Sequence, residues 1–244
     1  NAGNRVDSGR IFVVKKDDQL PAFLVLPALL TKNWTNTVPN WFSEMTIGFV
    51  DQDLSGLDQV GYTLLYTDYP LSVHDVVIST NIRATTFNLS WVIDFDRLGQ
   101  GYNEISVFAI DKSGNKAQSP TFAWVLKDTV FPSLIKHDGG SDDQWMNQKP
   151  SWLPTVDVDF VDPGILGTYS GLRDITYLVS SNGVSSFNYL IASGVNSATF
   201  TKNWTIVWES LTQDLNEIWV SMNDMAGNQT FSKVYSIRKD NGGP

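Results

Sequence analysis

The 244 residues contain no cysteine and only two histidines. Without thiols there is neither a disulfide framework nor a thiolate metal site, so stability has to come from packing. The histidines, His74 and His137, stand far apart and at unrelated positions, and no Gly-x-Ser-x-Gly elbow, phosphate loop or histidine metal motif occurs. Carboxylate pairs such as Asp142-Asp143 sit in a Gly-Ser-Asp stretch that reads as a solvated turn. No convergent set of activated groups is visible, and the chain is read as non-enzymatic. Positive charge is also scarce: 17 Lys and Arg stand against 26 Asp and Glu, for a net charge of −9. Scattered singly, those cations give no footprint for a phosphate backbone, which excludes nucleic acid as a partner. No apolar run approaches the roughly 18 to 20 residues of a spanning helix. The longest, Phe23 to Leu30, is broken by Pro27 and reads as strand.

Aromatic residues are plentiful, with nine Trp and thirteen Phe in a chain that is 42% apolar, which is ample for two cores. The chain also repeats itself. Asp111-Lys112-Ser113-Gly114-Asn115, followed by Lys127-Asp128 and Pro132, returns as Asp224-Met225-Ala226-Gly227-Asn228, followed by Lys239-Asp240 and Pro244. A clipped form, Ala2-Gly3-Asn4 with Lys16-Asp17 and Pro21, opens the chain. Such a period of about 110 residues suits one sandwich domain per copy. The expected organisation is therefore residues 1–17 as the last strand and linker of a preceding copy, or a strand lent to a neighbour, then domains at 18–128 and 129–244.

Within each copy the apolar residues alternate. Met45, Ile47 and Phe49; Val60, Tyr62 and Leu64; and Ile105, Val107 and Ala109 follow the period of half-buried strands. Ala22 to Leu30, Val76 to Ile78, Phe87 to Phe95 and Phe122 to Leu126 complete seven strands, with no helical periodicity between them. Trp34, Pro39 and Trp41 recur 111 residues on as Trp145, Pro150 and Trp152; an insertion around Pro163 to Tyr169 shifts the later offsets. The predicted fold is all-β: two tandem seven-stranded antiparallel sandwiches. On the last strand Phe122 and Trp124 oppose Ala123 and Val125, so both faces are apolar and one must pack on a folded-over loop or a neighbour.

Several recurring residues invite a role. Gly114 and Gly227 suit positive φ in a hairpin loop, with Asn115 and Asn228 tolerating a left-handed turn beside them. Trp91 and Trp204 carry the inward parity of core residues. Aspartate recurs at three places: Asp17 and Asp128 in the linkers, Asp51 and Asp162 ending a strand, Asp111 and Asp224 opening the last hairpin. In a sandwich these loops share the pole at which the linker arrives. Asp17, Asp51 and Asp111 are thus expected to meet at one joint, and Asp128, Asp162 and Asp224 at the next, as an oxygen ligand set suited to Ca2+. The alternative is that each aspartate caps its own turn. Acceptor patterns for N-linked glycans occur at Asn33, Asn88, Asn203 and Asn228. Trp34, Trp41, Trp145 and Trp152 lie in bends, where they either cap the core or stack on sugars.

Asp-x-x-Ser-Gly-Leu early, Asn-Glu-Ile-x-Val and Asp-x-(Ser/Ala)-Gly-Asn late, and the Lys-Asp…Pro linker resemble the tandem immunoglobulin-like repeats of prokaryotic cell-surface proteins, over nearly the whole chain. Absence of cysteine agrees with such a setting. The resemblance implies an extracellular or cell-surface location and a structural role as part of a stalk, filament or surface layer, with neighbouring repeats or further copies as partners. It equally admits an adhesin or carbohydrate-binding module holding a glycan by the Trp bends or the pole loops, and it supplies no catalytic residues.

Overall fold

The computed structural model describes residues 15–27, 33–43, 45–52, 55–66, 72–138, 143–165 and 167–242, and of these not the side chains of 72, 136–138 and 185–187. The expected strand within residues 1–17 and the end of the first predicted strand, 28–30, lie outside the described residues.

The fold is all-β. The first set of strands is β1 (Ala22–Val25), β2 (Trp34–Thr35), β3 (Met45–Val50), β4 (Leu57–Tyr66), β5 (Ser72–Thr80), β6 (Thr86–Trp91), β7 (Gly101–Asp111), β8 (Lys116–Gln118) and β9 (Ala123–Lys127). The second is β10 (Ser133–Asp138), β11 (Gln144–Met146), β12 (Asp157–Val161), β13 (Leu172–Ser181), β14 (Val184–Ser197), β15 (Thr199–Phe200), β16 (Asp214–Asp224) and β17 (Gln229–Lys239). In the first set β1-β3-β6 form one sheet and β2-β9-β7-β4-β5 the other, with β8 beside β7. The second set gives β10-β12-β15 and β11-β17-β16-β13-β14. No ladder among the described residues joins one set to the other.

Alternation explains the faces. Met45, Ile47 and Phe49 of β3 are buried against Val60, Tyr62 and Leu64 of β4 and Ile105, Val107 and Ala109 of β7, so the two sheets close on one core. Val156, Val158 and Phe160 do the same against Ile175, Tyr177, Val179, Ile218, Val220 and Met222 in a second, separate core. Trp91 and Trp204 are buried in these cores as their parity predicted, with ring centroids 4.7 Å from Tyr62 and 5.2 Å from Tyr177. Both indole N–H groups are buried without an acceptor, a cost that the ring burial has to outweigh.

Where seven strands per sandwich were expected, nine and eight strand segments occur among the described residues. After β1 and β10 the chain crosses to the opposite sheet, where β2 and β11 pair in parallel with the last strand. The Trp34 and Trp145 segments are therefore short strands rather than bends. In the first sandwich the last strand is interrupted between β8 and β9, where Pro120 has no N–H for the ladder and Ser119 Oγ instead accepts from Val107 N at 3.0 Å. The two apolar faces at Phe122 to Val125 are both used within the sandwich. Phe122, Ala123 and Val125 join the core, while Trp124 lies in a cleft with Trp34, Pro39 and Trp41.

Lys127 and Lys239, legible in the sequence only as linker markers, are buried at the end of the last strand, each 7% exposed. Lys127 Nζ donates to the carbonyls of Phe95 and Leu98, at 3.0 Å each, and lies 4.6 Å over the Phe95 ring. Lys239 Nζ repeats this with Trp208 O at 3.1 Å and Leu211 O at 3.0 Å, 4.7 Å over the Trp208 ring. In each case the ammonium adds a second donor to the first carbonyl of a 3-10 turn, Phe95 O or Trp208 O, which already accepts from Leu98 N or Leu211 N, and also serves the carbonyl of the residue that ends the turn, Leu98 or Leu211. Lys127→Met keeps the apolar stem, takes the ammonium donor from Leu98 O and leaves Phe95 O only its bond from Leu98 N. It is expected to lower stability by about 2 kcal/mol in urea denaturation; an unchanged midpoint would show that water replaces the ammonium.

Candidate functional site

All six singled-out aspartates gather at the two predicted places. Oxygens of Asp128, Asp162 and Asp224 lie within 4.8 Å of one another, as do oxygens of Asp17, Asp51 and Asp111. The strands bring them there: β12 ends next to Asp162, β16 ends at Asp224, and Asp128 leaves β9 into the linker. The three residues of the second cluster are 2%, 1% and 0% exposed, so three carboxylates share one buried pocket. In the first cluster Asp51 and Asp111 are buried and Asp17 is half-buried.

Turn capping accounts for part of each carboxylate. The linker aspartates each accept from the backbone N–H two residues on: Asp17 from Gln19 at 3.1 Å, Asp128 from Val130 at 2.9 Å, and Asp240 from Gly242 at 2.9 Å. The strand-end aspartates hold the following loop, Asp162 Oδ2 accepting from Gly171 N at 2.7 Å and Ser170 Oγ at 3.2 Å, as Asp51 Oδ2 accepts from Gly56 N and Ser55 Oγ. Gly56 and Gly171 adopt φ of 92° and 93°, which explains the Ser-Gly-Leu signature after each strand-end aspartate. Ser170 N closes the pocket from below, donating to Asp128 Oδ2 at 2.7 Å.

The hairpin asparagines do something the sequence reading missed. Gly114 and Gly227 take the expected positive φ, 91° and 97°, but Asn115 and Asn228 are not left-handed. Their side chains are clamps. Asn228 Nδ2 shares its N–H bonds among Asp224 Oδ2 (2.7 Å), Asp128 O (3.0 Å) and Val130 O (3.1 Å), so the second sandwich grips the linker. Asn115 Nδ2 likewise reaches Asp111 Oδ2 at 2.8 Å and Asp17 O at 3.3 Å. The signal was present as the invariant step from Asp to Asn four residues on, which matches the Asp224 Oδ1 to Asn228 N bond of 2.8 Å.

From the first sandwich, Asn36 Nδ2 donates to Asn228 Oδ1 at 3.1 Å across the joint. Gln100 holds the linker by Nε2 to Thr129 Oγ1 at 2.8 Å and by Oε1 from Thr129 N at 3.0 Å. Thr168, in the inserted loop, presses on Gly101: a Cβ built there would stand 2.2 Å from Thr168 Cγ2. The insertion thus seats the second sandwich on the first.

Electrostatics sets the second pocket apart. Only neutral donors serve the three carboxylates, and none of the three forms an ion pair. Each pair of full charges at such spacing repels by roughly 3 kcal/mol at an effective dielectric near 20. Burial, and then the charges of Asp128 and Asp224, push the Asp162 carboxyl above its ordinary 3.8, against the donors from Gly171 and Ser170. Burial also raises Asp224, with Asp128 adding to it and the Asn228 and Gly227 donors opposing. Asp162 Oδ1 is buried with no hydrogen-bond partner, and so is Asp17 Oδ2 in the first pocket.

The remaining sites from the sequence reading divide. Trp41 and Trp152 pack on the cores, the former 4.5 Å from Phe42 and the latter 5.0 Å from Tyr235. Trp34 is half-buried, whereas its counterpart Trp145 is 59% exposed with the Arg238 guanidinium 5.7 Å from its ring. The four do not form one platform. Asn33, Asn88 and Asn203 are exposed, but Asn228 is 2% exposed with its amide nitrogen engaged, so a glycan at Asn228 is incompatible with the folded joint. His74 is exposed, its ring centroid 5.1 Å from that of Tyr66 in a tilted contact, and it belongs to neither aspartate cluster.

Two tests follow from the clamp and the pocket. Asn228→Ala should destabilise the chain by about 1–3 kcal/mol and open the linker to proteolysis near Thr129; equal digestion of both proteins would show that the clamp is dispensable. For pH the sign follows from the raised values of Asp162 and Asp224. The stability they contribute is fully present below 3.8 and is lost as pH rises through their raised folded-state values. In chelator-treated buffer the chain should gain melting temperature relative to Asp162→Asn as the pH falls from neutral toward 3.8; parallel pH profiles would refute this.

The chain matches no protein-family model and no curated protein. Among solved structures it is similar to the fibronectin(III)-like modules of Clostridium thermocellum CbhA at 14% identity and a TM-score of 0.27, covering 90% of this chain and 95% of that one. It is similar to a tetra-tandem repeat in the extending region of a large adhesion protein at 15% and 0.33, covering 91% of this chain and half of that one. Drosophila N-cadherin EC1-4 gives 14% and 0.35, with 91% of this chain and again half of the other. Identities and scores in this range fix neither family nor function.

Proposed function

We propose that this chain is a structural, non-catalytic repeat region of an extracellular surface protein, extending or assembling a stalk, filament or surface layer. Domains at 18–128 and 129–244 are its two beads, and the joint between them is its working part. The observation that carries this reading is that the linker cradle is made twice. Gln100 holds Thr129 beyond β9, and Gln213 holds the chain beyond β17, with Asn241 N donating to Oε1 at 2.6 Å and Nε2 donating to Asp240 Oδ1 at 3.2 Å. Each sandwich thereby sets the direction of whatever follows it, which is what a stiff array of like units requires. Neighbouring repeats or further copies are the natural partners, meeting pole to pole.

A second reading has one specific observation behind it. Trp145 is exposed beside Arg238, an arrangement able to stack on a sugar ring, so a glycan-binding or adhesin role is the alternative.

Small-angle scattering of the chain should give one extended, fixed particle whose maximum dimension shortens or broadens when Asn36→Ala and Gln100→Ala are combined. Titration with cell-wall polysaccharides should leave Trp fluorescence unchanged. A flexible wild-type ensemble would remove the stiff-bead reading, and saturable quenching abolished by Trp145→Ala would replace it with the glycan-binding one.

A further inference from the structure

We propose that Asp128, Asp162 and Asp224 bind one divalent cation of the calcium type in the joint, and that Asp17, Asp51 and Asp111 bind a second in the equivalent place. This goes beyond the bead reading, which stands on the linker cradles and requires no metal.

Four observations converge on it. First, the donor set is oxygen only, three carboxylates with no nitrogen or sulfur ligand among them, which selects hard cations over transition metals. Second, one carboxylate oxygen is left over. Asp162 is 1% exposed; its Oδ2 is committed to Gly171 N and Ser170 Oγ, while Oδ1 is buried with no hydrogen-bond partner. A buried carboxylate oxygen without a donor is rare unless something positive serves it. Third, the spacing suits an ion. No donor serves Asp162 Oδ1, and one carboxylate oxygen from each of the three residues lies within 4.8 Å of the other two. Oxygens bound to one Ca2+ at about 2.3–2.6 Å can stand up to roughly 5 Å apart. Fourth, the arrangement occurs twice, and Asp17 Oδ2 in the first pocket is again buried and unpartnered. Every hydrogen bond to Asp128, Asp162 and Asp224 comes from an N–H or O–H donor, which favours the ionised form that a metal needs.

Calcium fits better than magnesium. Magnesium demands octahedral geometry and keeps several waters, whereas the joint is closed on several sides by Ser170, Gly171, Gly227 and Asn228. The cation would tie three segments: the linker by Asp128, the end of β12 by Asp162 and the end of β16 by Asp224. It would therefore act on the joint rather than on either core.

The test is calorimetric titration of the 244-residue chain, stripped with EDTA, with CaCl2 and in parallel with MgCl2. Two calcium sites are expected, with magnesium at least about tenfold weaker, together with a calcium-dependent rise in melting temperature. Asp162→Asn should lose one of the two sites, whereas Asp143→Asn, an exposed aspartate outside the pockets, should keep both. If Asp162→Asn folds poorly, terbium luminescence of the wild-type chain, displaced by calcium, reads the same stoichiometry. One calcium site, lost in Asp162→Asn, would uphold the second pocket and refute the first. Absence of binding up to about 10 mM calcium, or two sites retained in Asp162→Asn, would overturn the proposal while leaving the scattering result for the beads untouched.

Discussion

Three carboxylates gathered within 4.8 Å of one another, all buried at the second joint and two of them at the first, are the constraint around which each joint is built. Like charges in a dry pocket separate unless each is held, and here each is held by backbone N–H groups of a different segment. The grip runs both ways: the loops fix the carboxylates, and the carboxylates fix the loops. Asn228 adds two bonds that cross from hairpin to linker, and Asn36 ties that same amide to the preceding sandwich. The cores on either side are independent clusters of apolar residues, so the orientation of one sandwich on the other depends on this small polar site and the Thr168 contact.

Lysine plays the complementary part at the other pole. Lys127 and Lys239 end the last strands under 3-10 turns, each donating to the first carbonyl of its turn and to the carbonyl of the residue that ends it. Asn103 and Asn216 stand beside them, fully buried: the amide of Asn103 serves the carbonyls of Gly99, Gly101 and Val125, and that of Asn216 those of Thr212, Asp214 and Ile237. The pole from which the linker departs is thus stiffened by side-chain to backbone bonds, and the cradle at Gln100 or Gln213 is mounted on a rigid base.

Much of this was legible in the residues. Alternating apolar positions gave the β class and the inward face of nearly every long strand, because the period of two is imposed by burial. Recurrence of aspartate at three loops located both pockets, since equal spacing in two copies of one fold puts equal residues at equal places. The crossing of the first strand to the opposite sheet was not legible: two-residue ladders at Trp34 and three-residue ladders at Gln144 leave no periodicity to read. Nor was the role of the hairpin asparagines, because a left-handed turn and a side-chain clamp both select Asn. Burial of Asn228 could not be seen from its glycan acceptor pattern, which is a local motif blind to what folds over it.

Gly101 and its counterpart Asp214 both adopt positive φ, 88° and 75°, at the start of equivalent strands. At the joint the bare glycine leaves room for Thr168, whereas Asp214 carries a side chain bonded to Arg238 at 3.2 Å. The two modules are therefore not interchangeable in order. A duplicate of the second module placed behind itself would bring its own threonine against an aspartate, so this pair has a built-in direction, head distinguished from tail by one missing side chain.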